Sequence, residues 1–465
     1  MAGKPFDIKR GSFSRSLSVS LAGIRVGGAF ALDSAWQKLK PGRDSGHSEF
    51  AKREARLFVA ELGRLKGTYV KIGQMLALLG EHFLPPVLTQ ALHELESQTE
   101  ALPWSSIEPL LKTSLGDRFG ELRIEKKAIA AASLAQVHRA TVISSGEKIC
   151  LKVQYPGLAG VIDTDFDTVV RLLLVARWVK AGRELDEWLE SMREHLHHEI
   201  DYPREARMTE RMAELVSRDE RATGTANATY HVPQLFHRYC SDKVLAMEYI
   251  DGFLVTQAEV ADLSQARRNA LGKSMLELFF RELFQWGMLQ SDPNFGNYII
   301  RTRADDCDVD ELVLLDFGSI LECDENFLLH FGNTIVAGQV GDRDLLIESL
   351  LGLGCLHADS TSEARESFSE FCRQLLEPLR APEHLPREFL NENGEYCWGK
   401  SQLLRRVGKR AAHSVITRHF TIPSRDFAMI ARKLTGVFTF IAVLNAEFNA
   451  HDIVQSYIGQ WLEER

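Results

Sequence analysis

The sequence predicts an α+β fold, and three observations carry that reading. Apolar residues recur at helical spacing before about residue 115, short alternating runs bounded by turn residues begin near Leu122, and helical patterning returns beyond Asp251-Gly252. Strands gathered in one stretch, with helices before and after, exclude a repeating βαβ parallel sheet. The 465 residues exceed an average domain roughly threefold. Three parts follow: a helical extension over 1–115, a strand-rich unit with a helical insertion over 116–252, and a helical unit over 253–465.

The elements read in order as follows. Residues 12–41 are helical in pattern, and 46–98 form further helices separated by Pro85-Pro86. LRIEKKAIAAAS, AQVHRATVI and KICLKV read as strands, the last bounded by Gly146 and by Pro156-Gly157. Two long helical stretches cover 158–179 and 185–216, the second interrupted by Pro203. VPQLFHRY and VLAMEYI read as strands. In the last part, one hairpin of NYII (297–300) with ELVLLDFG (311–318) interrupts the helices, and 434–444 reads as a buried helix.

Composition bounds the function classes. With 55 Lys and Arg against 64 Asp and Glu, the net charge is −9, so no nucleic-acid partner is expected. Seven scattered cysteines without a Cys-x-x-Cys argue against a disulfide framework or a cysteine zinc site, and for a reducing, cytoplasmic setting. No apolar run approaches the ~20 residues of a membrane span. Residues 1–43 nevertheless carry eight basic and two acidic residues. Such a basic segment can rest peripherally on an anionic inner-membrane surface, although a solvated packing helix has the same pattern. Arg25 splits the apolar stretch that a signal peptide would need.

The chemistry concentrates in two motifs. Asp292 and Asn297 lie five apart in SDPNFGN, and Asp316-Phe317-Gly318 follows after the strand pair. Protein kinases place a catalytic Asp, an Mg²⁺-binding Asn and a DFG Asp in this order and context. Asp292 could accept a proton from a hydroxyl or water, while Asn297 and Asp316 offer oxygens to Mg²⁺. Either motif alone would be a weak signal. Lys152 stands inside the apolar run CLKV, where an ammonium is costly unless it meets anions such as nucleotide phosphates, or lies on an edge strand. Where a Gly-rich phosphate loop would precede it, the chain has Ala130-Ala131-Ala132-Ser133, and alanine resists the positive φ that glycine allows. The run EHLHHE (194–199) lacks H-E-x-x-H and reads as a solvated helix face. The acidic run 305–311 lacks EF-hand spacing and reads as a charged hairpin tip.

Together, the Ala-rich run, LKVQYPG, the Asp292–Asn297 motif and Asp316-Phe-Gly resemble the UbiB/AarF family of atypical kinases, linked to ubiquinone biosynthesis. So do Lys71-Ile72-Gly73-Gln74 (Lys-x-Gly-Gln) and Glu199-Ile200-Asp201 (Glu-x-Asp). The resemblance spans about residues 60–340. It implies a protein-kinase-like two-lobe fold with a helical N-terminal extension, and ATP and Mg²⁺ as cofactors. It further implies that Lys152 pairs with Glu205 and touches the phosphates, that Ala130, Ala131, Ala132 and Ser133 cap the nucleotide, and that Glu248, Tyr249 and Ile250 form the adenine hinge. Asp292, Asn297 and Asp316 would form the catalytic and metal set. Lys71 and Gln74 would meet Glu199 and Asp201 over the active site, in the space of a protein substrate. Isoprenoid lipids and quinone-biosynthesis enzymes are the partners implied.

The chain departs from an ordinary kinase in one charge. Asn294 stands where a kinase has a Lys two residues after its catalytic Asp. The chemistry therefore divides three ways: ATP hydrolysis, phosphoryl transfer to a small-molecule or protein hydroxyl, or nucleotide sensing by a lipid-binding scaffold without turnover.

Overall fold

The computed structural model describes residues 49–65, 67–83, 88, 91–92, 101–175, 183–223, 228–302, 309–408 and 424–463. The basic segment 1–43, Pro85-Pro86 and the acidic residues 305–308 lie outside them. Among the described residues no helix is long and apolar enough to cross a membrane.

The longer elements run α1 (Glu49–Leu65), α2 (Thr68–Phe83), α3 (Trp104–Leu115), β1 (Leu122–Ile124), β2 (Ala130–Ala131), β3 (Ala135–Val142) and β4 (Lys148–Gln154). Then come α4 (Ile162–Val175), α5 (Arg183–His198), α6 (Tyr202–Thr223), β5 (Thr229–His231), β6 (Val244–Glu248), α7 (Gln265–Phe284), β7 (Met288–Gln290), β8 (Tyr298–Arg301), β9 (Glu311–Leu314) and β10 (Ile320–Glu322). The last are α8 (Glu325–Val340), α9 (Arg343–Gly352), α10 (Ser362–Leu375) and α11 (Arg425–Val443). The chain groups into two compact units, Met1–Arg207 with Gln234–Tyr249, and Met208–Pro233 with Ile250–Arg465.

In the first unit, α1 turns Ala55, Phe58, Val59 and Leu62 to one side and α2 turns Tyr69, Ile72 and Leu76, the i, i+3, i+4, i+7 stripe of a packed helix. These close on Ile162, Phe166 and Val169 of α4 and on Met192 and Leu196 of α5. The sheet runs β1-β3-β4-β6, with β2 also on β3, all antiparallel. Period-two alternation decides its faces. Ile149, Leu151 and Val153 of β4 are fully buried with Ile107 and Leu111 of α3, so Cys150 and Lys152 point to the opposite face.

Two expectations change here. VPQLFHRY is not a strand: Leu235 makes a single bridge to Met247, and the chain tightens into a 3₁₀ turn at His237–Tyr239. Pro233 has no N–H to lend a ladder, and the return to β6 a few residues later forces the turn. The break between the two helices falls at Glu199–Asp201 rather than at Pro203, which sits in the first turn of α6, where its missing N–H costs nothing.

In the second unit, β8 and β9 form the expected antiparallel pair, with Tyr298 opposite Leu314. Sequence reading missed three short strands. β5 pairs parallel to β9, and β7 pairs with β10, each too short to show a period. Asp310 and Glu311 are not tip residues but buried ion-pair partners. Asp310 takes a two-pronged contact from Arg267 at 2.9 and 2.6 Å, and Glu311 pairs with Arg301 at 2.6 Å. Asp324 caps α8 by accepting from Phe327 N–H at 2.8 Å, and Gly341, at φ 77°, ends it in the left-handed region. α11 buries Leu434, Val437, Phe438, Phe440 and Ile441, as expected of 434–444. It also presses on the segment 291–297: a Cβ at Gly436 would lie 2.1 Å from Pro293 Cβ, so only glycine fits.

Candidate active site

The first unit carries a buried ion pair. Lys152 Nζ donates to Glu205 Oε1 at 2.6 Å, with the lysine 17% and the glutamate 2% exposed. β4 aims the lysine away from the apolar core, and the first turn of α6 supplies the carboxylate. The Tyr202 ring lies 5.6 Å from the ammonium.

The Ala-rich run is a tight hairpin. Ala130 faces Val137, Ala132 N–H donates to Ala135 O at 2.8 Å, and Tyr155 OH donates to Ala132 O at 3.0 Å, with Ser133 buried. None of the four adopts positive φ. At the end of β6, Glu248 is half-buried, Tyr249 receives a hydrogen bond from Arg139 and Ile250 is buried. The Arg139 guanidinium stacks 4.2 Å from the Tyr249 ring centre. Tyr249 N–H is already given to Lys148 O at 3.1 Å.

Lys71 on α2 forms a close ion pair with Glu199. His195 joins at 3.5 Å, so the histidine run is not wholly a solvated face. Burial opposes ionisation of Glu199, but the Lys71 ammonium and His195 override it and hold its carboxyl well below the ordinary 4.5. A depressed folded-state pKa gives stability that is present above 4.5 and lost as pH falls through the depressed value. Glu199→Gln is accordingly expected to flatten the acid limb of the Tm–pH profile; an unchanged limb in thermal melts would contradict the pairing. Asp201 does something else: it caps α6, accepting from Arg204 N–H at 2.9 Å. Gln74 sits one turn beyond Lys71, half-buried.

The second unit carries the other set. Ser291 N–H donates to Ser319 O at 2.9 Å, tying the start of the 291–297 loop to the residue after Gly318. Asn294 holds the following 3₁₀ turn by accepting from Gly296 N–H at 2.9 Å. Asn297 Nδ2 donates to Asp292 Oδ2 at 3.1 Å, and Leu315 N–H donates to Asn297 O at 3.0 Å. Asp316 Oδ1 accepts from Gly318 N–H at 2.9 Å, while Phe317 is buried. The β8–β9 register thus brings Asn297 and Asp316 to the lining of one cavity. Arg432 of α11, which sequence reading missed, approaches Asp292 Oδ1 at 3.7 Å. No local pattern announces it, because it lies far along the chain from the motif it meets.

These oxygen donors suit a hard divalent cation. Among the described residues no group of three or more His, Cys, Asp or Glu forms a cage. Mg²⁺ needs none, since it takes one or two carboxylates and leaves its other positions to water and phosphate.

A model of the ABC1 atypical kinase-like domain matches residues 94–350. The chain belongs to the ABC1 atypical kinase-like family. Rat "Atypical kinase COQ8B, mitochondrial" is 28% identical over 451 residues, covering 95% of this chain and 80% of the relative. "Atypical kinase COQ8, mitochondrial" of Schizosaccharomyces pombe is 25% identical over 457 residues, covering 97% and 69%. "AarF domain-containing protein kinase 1" of Xenopus laevis is 29% identical over 349 residues, covering 72% and 65%. The solved Rv3197–erythromycin complex from Mycobacterium tuberculosis superposes with TM-score 0.58 at 22% identity, over 88% of this chain and 96% of that one, a likeness of fold. The kinase-like fold and the UbiB/AarF resemblance therefore stand. Within the ABC1 match lie Lys152, Glu205, Asp292, Asn297 and Asp316; Lys71, Gln74 and Arg432 lie outside it.

Proposed function

We propose that this chain is a UbiB-type ATPase or atypical kinase that uses Mg²⁺ and ATP and serves ubiquinone or other isoprenoid-lipid metabolism. The observation that carries the reading is the Lys152–Glu205 pair at 2.6 Å. A buried ion pair rarely repays its desolvation as a stabilising device, so its presence between the buried Leu151 and Val153 of β4 points to a role for the ammonium.

In this reading Lys152, oriented by Glu205, binds ATP phosphates. The Ala130–Ser133 hairpin covers the nucleotide with less freedom than a glycine loop, and Glu248, Tyr249 and Ile250 line the adenine. Asp292 orients the attacking hydroxyl or water and accepts its proton. Asn297 and Asp316 hold Mg²⁺, which when bound neutralises phosphate charge. Arg432 supplies beside Asp292 the positive charge that Asn294 lacks. Lys71, held by Glu199, fixes α2 beside the Glu-x-Asp turn, with Gln74 and Asp201 as its neighbours in the motif. The parts 1–115, 116–252 and 253–465 act as extension and two lobes, and the basic segment 1–43 provides peripheral contact with anionic membrane. Isoprenoid lipids or quinone-biosynthesis enzymes are the partners of this reading.

The test is nucleotide binding and phosphate release with and without Mg²⁺. Lys152→Ala is expected to lower kcat/KM for ATP about a hundredfold, the scale of one lost phosphate-facing donor. Binding and turnover equal to wild type would remove Lys152 from the phosphates.

A further inference from the structure

Lys433, the neighbour of Arg432 on α11, is 1% exposed. An ammonium so far from water must be met by acceptors. Its Nζ donates to Gln290 Oε1 at 2.7 Å and to the Tyr298 hydroxyl, and that hydroxyl lies 3.2 Å from Gln290 Oε1. Gln290 ends β7 immediately before Ser291-Asp292. Tyr298 opens β8 immediately after Asn297. One ammonium therefore grips both ends of the loop that carries Asp292 and Asn297.

Glu282 of α7 is also buried, and it lines a small cavity together with Gln290 and Tyr298. Burial pushes the Glu282 carboxyl up to about 7 against the pull of Lys433, and pushes the Lys433 ammonium down against the pull of Glu282 and Asp292. Glu282 Oε2 and Gln290 Nε2 have no hydrogen-bond partner among the described residues. Glu282 and Gln290 both line a cavity of about 10 Å³ shared with Asn297 and Asp316, the size of one water molecule.

We propose that Lys433 is a positioning residue for the 291–297 loop, clamping Gln290 and Tyr298 so that Asp292 and Asn297 keep their separation. A methionine would fill the same space without desolvating an ion. What it could not do is bond to a residue on each side of the loop. The loop's other fastenings, Ser291 on Ser319, Leu315 on Asn297, Arg432 near Asp292 and Pro293 against Gly436, each hold a single point of it. The consequence for turnover rests on the ATP reading above; the clamp does not.

The test compares Lys433→Met, Glu282→Gln and the double variant by thermal melting, by amide hydrogen exchange of residues 291–298 without nucleotide, and by ATP turnover. Lys433→Met alone is expected to lower Tm by about 5–10 °C, since it leaves Gln290 and Tyr298 without their shared donor and the buried Glu282 carboxyl without the pull of Lys433. The double variant, with neither buried charge, should regain most of that Tm. Its 291–298 amides should still exchange about tenfold faster than wild type, and its kcat/KM should stay about tenfold down. Glu282→Gln, which keeps the clamp, should exchange at the wild-type rate. Wild-type exchange in the double variant, or exchange in Glu282→Gln as fast as in Lys433→Met, would overturn the proposal. Exchange is read without ATP, so a wild-type protein that turns over no ATP would defeat the functional reading and leave the clamp to be judged on its own.

Discussion

Asp316→Asn is expected to abolish nearly all Mg²⁺-dependent ATP turnover, by about a thousandfold, while moving Tm little. The side chain does two separable things. Its Oδ1 accepts from Gly318 N–H at 2.9 Å and so holds the Asp-Phe-Gly turn, with Phe317 buried behind it. An asparagine carries an acceptor oxygen of the same reach, so the turn survives. What it lacks is the negative charge, and in the proposed function a hard divalent cation held by so few protein oxygens would depend on that charge. Steady-state phosphate release titrated with Mg²⁺, beside a thermal melt, separates the two. Turnover within about threefold of wild type at saturating Mg²⁺ would take Asp316 out of the metal site. A large fall in Tm would mean that the carboxylate is a fold element first.

The candidate residues that the sequence displays are those whose signal is local. Asp292 and Asn297 are five residues apart, and Lys152 interrupts an apolar run of period two, so both could be read without knowing what they meet. The Lys152–Glu205 contact is longer in range. No local pattern gives it: it comes only as what the family resemblance implies, and α4 and α5 lie between the strand and the helix that meet. Short elements stayed hidden for the opposite reason. β5, β7 and β10 have three residues each, fewer than two full alternations, and their identity comes from partners across the fold. The acidic 310–311 pair looked like a solvated tip because carboxylates usually are; only the fold delivers Arg267 and Arg301 to them. Arg432, Lys433 and Gly436 form the largest omission. Within an apolar helix they read as one stray charge pair and a weak spot, yet each meets the segment between Gln290 and Tyr298. Asp201 was legible as an acid but not as a helix cap, a role fixed by where α6 begins.

Arg432→Ala is expected to lower kcat about a hundredfold with little change in ATP affinity, and adding Asn294→Lys should restore part of the loss. The geometry separates this from an ordinary surface ion pair. At 3.7 Å from Asp292 Oδ1, the guanidinium is too far for a strong hydrogen bond, and the two side chains are 29% and 27% exposed. A pair of that kind stabilises a fold by about 1 kcal/mol or less. A hundredfold fall in turnover corresponds to about 2.7 kcal/mol of barrier, which such a contact cannot supply through stability. The larger effect requires that the charge face the transferring phosphoryl group, where a kinase would use the lysine that Asn294 replaces. Asn294 itself is exposed, and among the described residues its side chain bonds to the nearby Gly296 N–H, so a lysine there costs a local cap and little else. The double variant thus moves the charge from a distant helix back into the loop. Recovery of turnover without a change in Tm would locate the effect in the charge, whereas a fall of less than about threefold in Arg432→Ala would leave Arg432 as a surface partner of Asp292 and nothing more.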